Sequence, residues 1–137
     1  MAEVAEIADF PAGMLRRIAG FYVGAGWVAP GADVSVLLPA LRGSAMVVGA
    51  FEDGEIVGIG RALSDGCSDA YIQDVVVDPA HRGQGIGRQL VETLVSGLRA
   101  RGIDWIALIG EPGTEGFYRR LNMRERPGFT MWQPDNR

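Results

Sequence analysis

The stretch from residue 71 to residue 101 constrains the fold of this chain more than any other part. It opens with Tyr71-Ile-Gln-Asp-Val-Val-Val, and its three consecutive valines are typical of a strand buried on both faces. The glycine-rich segment Arg82-Gly-Gln-Gly-Ile-Gly follows, and apolar residues then recur at the spacing of one helix face. The sequence therefore predicts a strand, a tight turn and a helix in immediate succession.

The glycine-rich turn predicts an anion-binding site. The first amides of a helix have no partner within the helix, and the helix dipole places partial positive charge there. Gly83, Gly85 and Gly87 would let a phosphate approach the backbone without interference from side chains. Arg82 and Arg88 add positive charge. Such a turn can also serve only tight packing of a strand on a helix, but the flanking arginines favour the anion site.

The same turn lacks the marks of the commoner nucleotide-binding loops. A Walker loop requires Gly-Lys-Ser/Thr after four spacer residues, and the sequence has no such segment. A Rossmann fingerprint requires its third glycine at the position that Arg88 occupies here. Both kinds of nucleotide site are therefore disfavoured.

The remaining patterns predict an α/β fold in which helices cover both faces of a mixed sheet. Helices are expected near residues 11–24, 33–41, 86–101 and 112–121, and strands near residues 3–8, 44–51, 56–63, 70–77, 104–109, 123–126 and 129–132. Asp53-Gly54 favours a two-residue hairpin turn. Asp33 is expected to cap the second helix, and Pro39 to bend or shorten it. We therefore expect one domain, residues 1–137, with about six or seven strands and about four helices.

Composition and charge limit the classes of partner. The net charge is −4, with 47% hydrophobic and 22% charged residues, which argues against nucleic acid as the main partner. No apolar run approaches the roughly 18 residues of a membrane-spanning helix, and the amino terminus lacks the features of a signal peptide. Cys67 is the single cysteine, which argues against a disulfide framework or a thiolate metal site. We expect a cytoplasmic protein that binds no metal, membrane or nucleic acid.

Two segments resemble the GNAT superfamily of N-acetyltransferases. The segment that starts at Arg82 matches the family signature Gln/Arg-x-x-Gly-x-Gly/Ala after a valine-rich strand. The run Gly116-Phe-Tyr-Arg-Arg-Leu-Asn-Met is similar to the family's Phe-Tyr-x-x-Leu-Gly-Phe segment, with Asn122 in place of the glycine and Met123 in place of the aromatic residue. Asparagine tolerates the left-handed conformation, so the turn can survive. With the order of elements, the resemblance covers nearly the whole chain and implies the GNAT acyl-CoA N-acyltransferase fold.

The resemblance implies acetyl-CoA as the co-substrate. The strand at residues 105–109 would part from the strand at residues 70–77 and leave a slot for the thioester. An N–H near Val76 would polarise the acetyl carbonyl, and Tyr118 would protonate the departing thiolate. Alternatively, the Tyr118 ring packs in the core with its hydroxyl satisfied. The groups implied to hold the pantetheine arm and the pyrophosphate are the backbone of Val75, Val76 and Val77, the amides of Gly83, Gln84, Gly85, Ile86, Gly87 and Arg88, and the side chain of Arg82.

Transfer to an amine requires a base, because an alkylammonium has a pKa of about 10 and must first lose a proton. Asp74 is the first candidate, since Ile-Gln-Asp-Val-Val-Val resembles a run in some sugar-amine acetyltransferases. A carboxylate in a sheet is costly unless it is paired, so Asp74 could instead be a structural charge bonded to Arg61 or to a nearby amide. Gln73 could orient a water molecule.

Other residues are candidates for binding the acceptor. Glu111 stands where many relatives have an asparagine that contacts the cofactor, and it could instead serve the acceptor amine. Tyr22 and Trp27 lie where relatives build the acceptor wall, which would suit an aromatic or cationic substrate; core packing is the alternative. His81, the single histidine, is expected to be solvent-exposed rather than catalytic.

These features together predict an acetyl-CoA-dependent N-acetyltransferase. The acceptor would be a small-molecule or peptide amine that attacks the thioester directly in a ternary complex. Two alternatives stay open: transfer of another acyl group or to another class of acceptor, and a non-catalytic module that binds coenzyme A. Family members often dimerise, and a homodimer also stays open.

Overall fold

A mixed five-stranded sheet, with strand order β1-β2-β3-β4-β5, organises residues 1–135, the part of the chain that the computed structural model describes. β1 to β4 are antiparallel neighbours, and β5 is parallel to β4. The strands are β1 (Glu3–Glu6), β2 (Met46–Glu52), β3 (Glu55–Ser64), β4 (Asp69–Val77) and β5 (Trp105–Leu108). The helices are α1 (Ala12–Gly24), α2 (Leu37–Arg42), α3 (Ile86–Ala100) and α4 (Glu115–Arg119), and a 3₁₀ turn spans Pro79–His81. The predicted α/β class is confirmed.

Helices cover both faces of the sheet, as predicted. On one face, α3 buries a stripe of apolar side chains against β2, β3 and β4, and Phe117 and Tyr118 of α4 pack against the same cluster. On the other face, Ile18 and Phe21 of α1 pack with α2 against the sheet. The valines of β4 divide between the faces, because Val75 and Val77 belong to the α3 side and Val76 to the α1 side. The buried residues of the α3 stripe are Ile86, Leu90, Val91, Leu94 and Leu98.

Two turn predictions are confirmed by backbone angles. Asp53 and Gly54 have φ angles of 51° and 79°, as the two central residues of a tight hairpin turn between β2 and β3 require. Asn122 has a φ of 59°, so asparagine does take the left-handed conformation in place of glycine.

The predictions for the second helix were wrong in detail. Asp33 does not cap it, because Asp33 Oδ1 accepts a hydrogen bond from the Ser35 amide in the loop before the helix, and Val36 is the residue that precedes the first turn. Pro39 neither ends nor shortens the helix. It is the third helical residue, where an N–H would have no partner within the helix, so its missing donor costs little.

The two strands predicted after residue 122 do not form, so the sheet has five strands rather than six or seven. Pro127 cannot donate to a strand ladder, and Gly128 has a φ of 86° that breaks extended geometry. The apolar side chains of this segment are not recruited to the core: Phe129, Met131 and Trp132 are 70%, 55% and 88% exposed.

Two further features bear on the predicted partners. Within residues 1–135, no helix is both long enough and apolar enough to cross a membrane. The same residues hold no group of three or more His, Cys, Asp or Glu side chains arranged for a metal ion. Cys67 lies exposed in the loop between β3 and β4.

Candidate functional site

β4 extends beyond the end of its parallel neighbour β5. Their parallel pairing runs from Asp69 opposite Trp105 to Ile72 opposite Leu108, whereas β4 continues to Val77. Among residues 1–135, the edge of segment 73–77 that faces away from β3 has no strand partner. The pairing ends because β5 itself ends at Leu108, so the splaying of the two strands stays a prediction. The free edge of segment 73–77 offers backbone N–H and C=O groups that can pair with an extended ligand, as added strands do.

A β-bulge lies in β4 just beyond its last pair with β5. Ile59 pairs with Val76, and Arg61 pairs with Gln73, so β4 holds one more residue than β3 between the two pairs. Asp74 takes up the extra length with a φ of 58°. A bulge raises the local twist and re-aims side chains, and here the Asp74 side chain meets the Tyr22 hydroxyl of α1.

The glycine-rich turn presents an open backbone at the start of α3. Gly83 and Gly85 have φ angles of 78° and 79°, and no heavy atom lies within 4 Å of the place where a Cβ would stand. Gly85 precedes the first turn of α3, and no side chain caps that turn. The first amides of α3 are therefore available to an anion.

The third glycine has a different role. A Cβ at Gly87 would lie 3.4 Å from two ring carbons of Phe117, so Gly87 lets α4 pack closely on α3. The turn thus combines an open surface at Gly83 and Gly85 with a packing contact at Gly87.

The other residues predicted to hold the pyrophosphate differ in their partners and in their exposure. Arg82 Nε donates to the Val77 carbonyl at 3.3 Å, which orients its guanidinium along the end of β4. Arg88 Nε donates to Glu92 Oε1 at 2.7 Å on the helix surface, so part of its charge is already balanced. Gln84 is exposed. The Ile86 side chain is buried in the core, and only its backbone can face an anion.

Tyr118 lies half-buried on α4, close to the end of β5. A Cβ at Gly110 would stand 3.6 Å from Tyr118 Cε2, and the Phe117 ring packs edge-on at 4.9 Å between centroids. No group in residues 1–135 forms a hydrogen bond with its hydroxyl. Burial raises the pKa of Tyr118, and the negative charge of Glu111 raises it further. The phenol therefore keeps its proton at neutral pH and has no protein acceptor for it in this part of the chain.

Asp74 is held by a cation and a phenol. Its Oδ2 accepts from Arg61 Nε at 2.7 Å and from Tyr22 Oη at 2.9 Å. Arg61 also donates to Ser44 Oγ and, at 3.4 Å, to Gln73 Oε1. The predicted bond between Asp74 and Arg61 is present, and Gln73 joins the same network. Burial raises the pKa of Tyr22 well above its usual range, and the charge of Asp74 adds to the shift, so Tyr22 stays a donor.

A hydrogen bond between Trp27 and Glu111 joins the loop after α1 to the segment after β5. Trp27 Nε1 donates to Glu111 Oε1 at 2.6 Å, although the two residues are 84 positions apart. The Trp27 ring also meets the Tyr22 ring edge-to-face, with 5.2 Å between centroids. The structure thus brings together the residues predicted to bind the acceptor, on α1, the loop after α1, β4 and the segment after β5.

His81 differs from its predicted environment. Its side chain is only 24% exposed, with Nε2 2.9 Å from Glu52 Oε2 and Nδ1 3.4 Å from Asp78 Oδ2. It therefore ties the 3₁₀ turn that precedes the glycines to the β2–β3 hairpin. This contact could not be predicted from the sequence, because Glu52 and His81 are far apart in the chain and no local pattern links them.

Arg61 has more partners than the single one predicted from the sequence. It donates to Asp74, Ser44 and Gln73, and its side chain is 14% exposed. An available signal was its position inside the apolar strand pattern of residues 56–63, because a charge buried in a sheet requires partners.

Comparison with known proteins places this geometry in a family. The profile of the Acetyltransferase (GNAT) family matches residues 15–123. The chloroplastic serotonin N-acetyltransferase 2 of Oryza sativa is 45% identical over 82 residues, which are 60% of this chain and 38% of that protein. A histone acetyltransferase of Glycine max is 38% identical over 62% of this chain and 38% of its own length. The chain thus spans less than two fifths of the length of these two relatives.

A solved structure extends the likeness to the whole fold. A GNAT-family acetyltransferase from Streptococcus pneumoniae superposes with a TM-score of 0.78, at 23% identity, over 98% of this chain and 99% of that chain. This likeness concerns the fold, and the profile match covers most of the sequence. The chain belongs to the GNAT family of acetyltransferases.

Proposed function

We propose that this chain is an acetyl-CoA-dependent N-acetyltransferase that moves the acetyl group to a primary amine by direct attack while both substrates are bound. One observation carries the proposal: the unpaired edge of segment 73–77 leads, through the short 3₁₀ turn Pro79–His81, to the open glycine turn. A single stretch of chain can therefore hold an extended amide-bearing arm by strand-like pairing and a pyrophosphate by helix amides. Family membership supplies the chemistry that these two subsites serve.

The thioester side uses the backbone of β4 and the side chain of Tyr118. Those backbone groups of Val75, Val76 and Val77 that face away from β3 would orient the pantetheine arm, and an N–H near Val76 would stabilise charge that develops on the carbonyl oxygen. Tyr118 holds a proton and lacks a protein acceptor within residues 1–135. It would give that proton to the departing sulfur.

The amine side uses Asp74 as the proposed base. Oδ2 of Asp74 accepts from Arg61 and Tyr22, and we assign Oδ1 to take the proton of the acceptor ammonium. The named relatives differ in acceptor, since one is a serotonin and another a histone acetyltransferase. Their names therefore support small and macromolecular amine acceptors equally. A cytoplasmic location and a homodimer stay predictions; the rice relative is chloroplastic.

Thiol release from acetyl-CoA tests the function directly. We expect release that depends on added primary amine, measured with a thiol reagent across small amines, amino acids, polyamines, amino sugars and peptides. Binding of coenzyme A without release under any amine would instead support a non-catalytic module. Faster release from longer acyl-CoA compounds would support the alternative acyl transfer.

Gly85→Trp tests the pyrophosphate site. Coenzyme A should raise the thermal unfolding midpoint of the native protein, because a ligand that binds the folded state stabilises it, and this rise should vanish in the variant. Gly102→Trp is the matched control: Gly102 has a similar positive φ and an equally open Cβ position, but it follows α3 rather than preceding it. Equal protection of both variants by coenzyme A would refute the assignment.

Tyr118→Phe tests the proton donor. The variant keeps the ring that packs near Gly110 and Phe117 and loses only the hydroxyl. We expect kcat to fall by about 10²–10⁴-fold, the usual effect of losing a proton-transfer group, while binding of coenzyme A stays unchanged. Near-normal turnover would remove Tyr118 from the mechanism.

Asp74→Asn tests the base. Asparagine also tolerates a positive φ, so the bulge should be retained. The variant should lose more activity at neutral pH than above about pH 10, where free amine is abundant. The pH profile of kcat/KM measures this difference, and an equal loss at both pH values would leave Asp74 with a binding role only.

A further inference from the structure

Several side chains lie beside the free edge of β4, beyond the end of β5, and we call them the amine rim. It consists of Tyr22, Trp27, Asp74, Glu111 and Tyr118. Hydrogen bonds join Trp27 to Glu111 and Tyr22 to Asp74, and ring contact joins Tyr22 to Trp27. Glu111 is also close enough to Tyr118 for its charge to act on the phenol. The rim therefore borders the place where an acceptor must approach the proposed thioester slot.

The two carboxylates of the amine rim differ in how their charge is balanced. Asp74 forms an ion pair with Arg61 at 2.7 Å. Within residues 1–135, the Glu111 carboxylate accepts a hydrogen bond only from the neutral indole of Trp27 and forms no salt bridge. Glu111 is exposed, so it brings an uncompensated negative charge to the rim. Such a charge favours a cationic ligand and disfavours an anionic one.

The aromatic members of the rim add an apolar surface. Tyr22 and Trp27 are half-buried and meet at an interplanar angle of 75°. Tyr22 is fixed through its hydroxyl on Asp74. Trp27 lies in the loop after α1, and its only side-chain hydrogen bond within residues 1–135 is the one to Glu111. An indole held in this way can move when a better donor reaches that carboxylate, because a charged donor forms a stronger bond than a neutral one.

We infer that Glu111 is the acceptor-binding carboxylate and that the acceptor is a small monocation, a primary ammonium on a flat apolar body. The ammonium replaces Trp27 Nε1 on Glu111, and the displaced indole lies against the apolar body with Tyr22. This inference rests on the proposed acetyl transfer and assigns its substrate class. It also divides the work of the two carboxylates, since Glu111 holds the ammonium and Asp74 takes its proton.

The inference predicts discrimination between amines that differ by one negative charge. Phenethylamine fits the described class, whereas phenylalanine carries an additional carboxylate that Glu111 repels. Native protein should therefore have a much higher kcat/KM for phenethylamine than for phenylalanine, measured by thiol release at a fixed acetyl-CoA concentration. If the protein acetylated only macromolecular acceptors, it would not turn over phenethylamine, and that result would contradict the inference.

Glu111→Gln should raise KM for phenethylamine by about 10–100-fold, as expected for the loss of a hydrogen bond to a charged group, and leave KM for acetyl-CoA nearly unchanged. It should also reduce the preference for phenethylamine over phenylalanine. Trp27→Phe keeps an aromatic ring but removes the competing donor, so KM for phenethylamine should fall. Glu115→Gln is the matched control, an exposed carboxylate at the start of α4 that should change neither constant.

The outcomes separate this inference from the proposed function. Absence of amine-dependent thiol release from the native protein would overturn both. Amine-dependent release with an unchanged preference in Glu111→Gln, or with equal effects of Glu111→Gln and Glu115→Gln, would overturn only the role of Glu111. Equal thermal unfolding midpoints of the variants confirm that altered constants do not reflect misfolding.

Discussion

The difference in length between β4 and β5 is the constraint on which the rest of this structure depends. Two parallel strands of equal length would satisfy each other's backbone groups along the whole shared edge. Here β5 ends at Leu108, opposite Ile72, and β4 continues to Val77 with free hydrogen-bonding groups on one edge. Buried backbone groups without partners are costly, so a free edge is stable where water or a ligand can reach it. The proposed co-substrate site uses that edge.

The bulge at Asp74 explains how a charged residue can occupy the centre of a sheet. A charge removed in part from water is stable only with good geometry and further hydrogen bonds, and the half-buried Asp74 has Arg61 at 2.7 Å and Tyr22 at 2.9 Å. These contacts join β3, β4 and α1 beside the free edge. Glu111 has no comparable cation among residues 1–135, and this asymmetry gives the two carboxylates separate roles in the proposed reaction.

Features with a local cause could be predicted from the sequence. The stripe of α3, the Asp53-Gly54 turn and the left-handed Asn122 each follow from a few adjacent residues, and all three are present. The strands expected after residue 122 do not form, because Pro127 lacks a backbone donor and Gly128 has a positive φ that interrupts extended geometry. The residues of the glycine turn could be predicted for the same local reason, whereas the bond between Trp27 and Glu111 spans 84 positions and leaves no local pattern.

The central claim is that the free edge of β4 and the glycine turn form one binding surface for coenzyme A. Hydrogen–deuterium exchange of backbone amides, with and without coenzyme A, tests it most directly. Binding should slow exchange both in segment 75–77 and in segment 83–88. Exchange in β1 and β2, at the opposite edge of the sheet, should stay unchanged. Protection of the glycine turn without any change in segment 75–77 would contradict the claim.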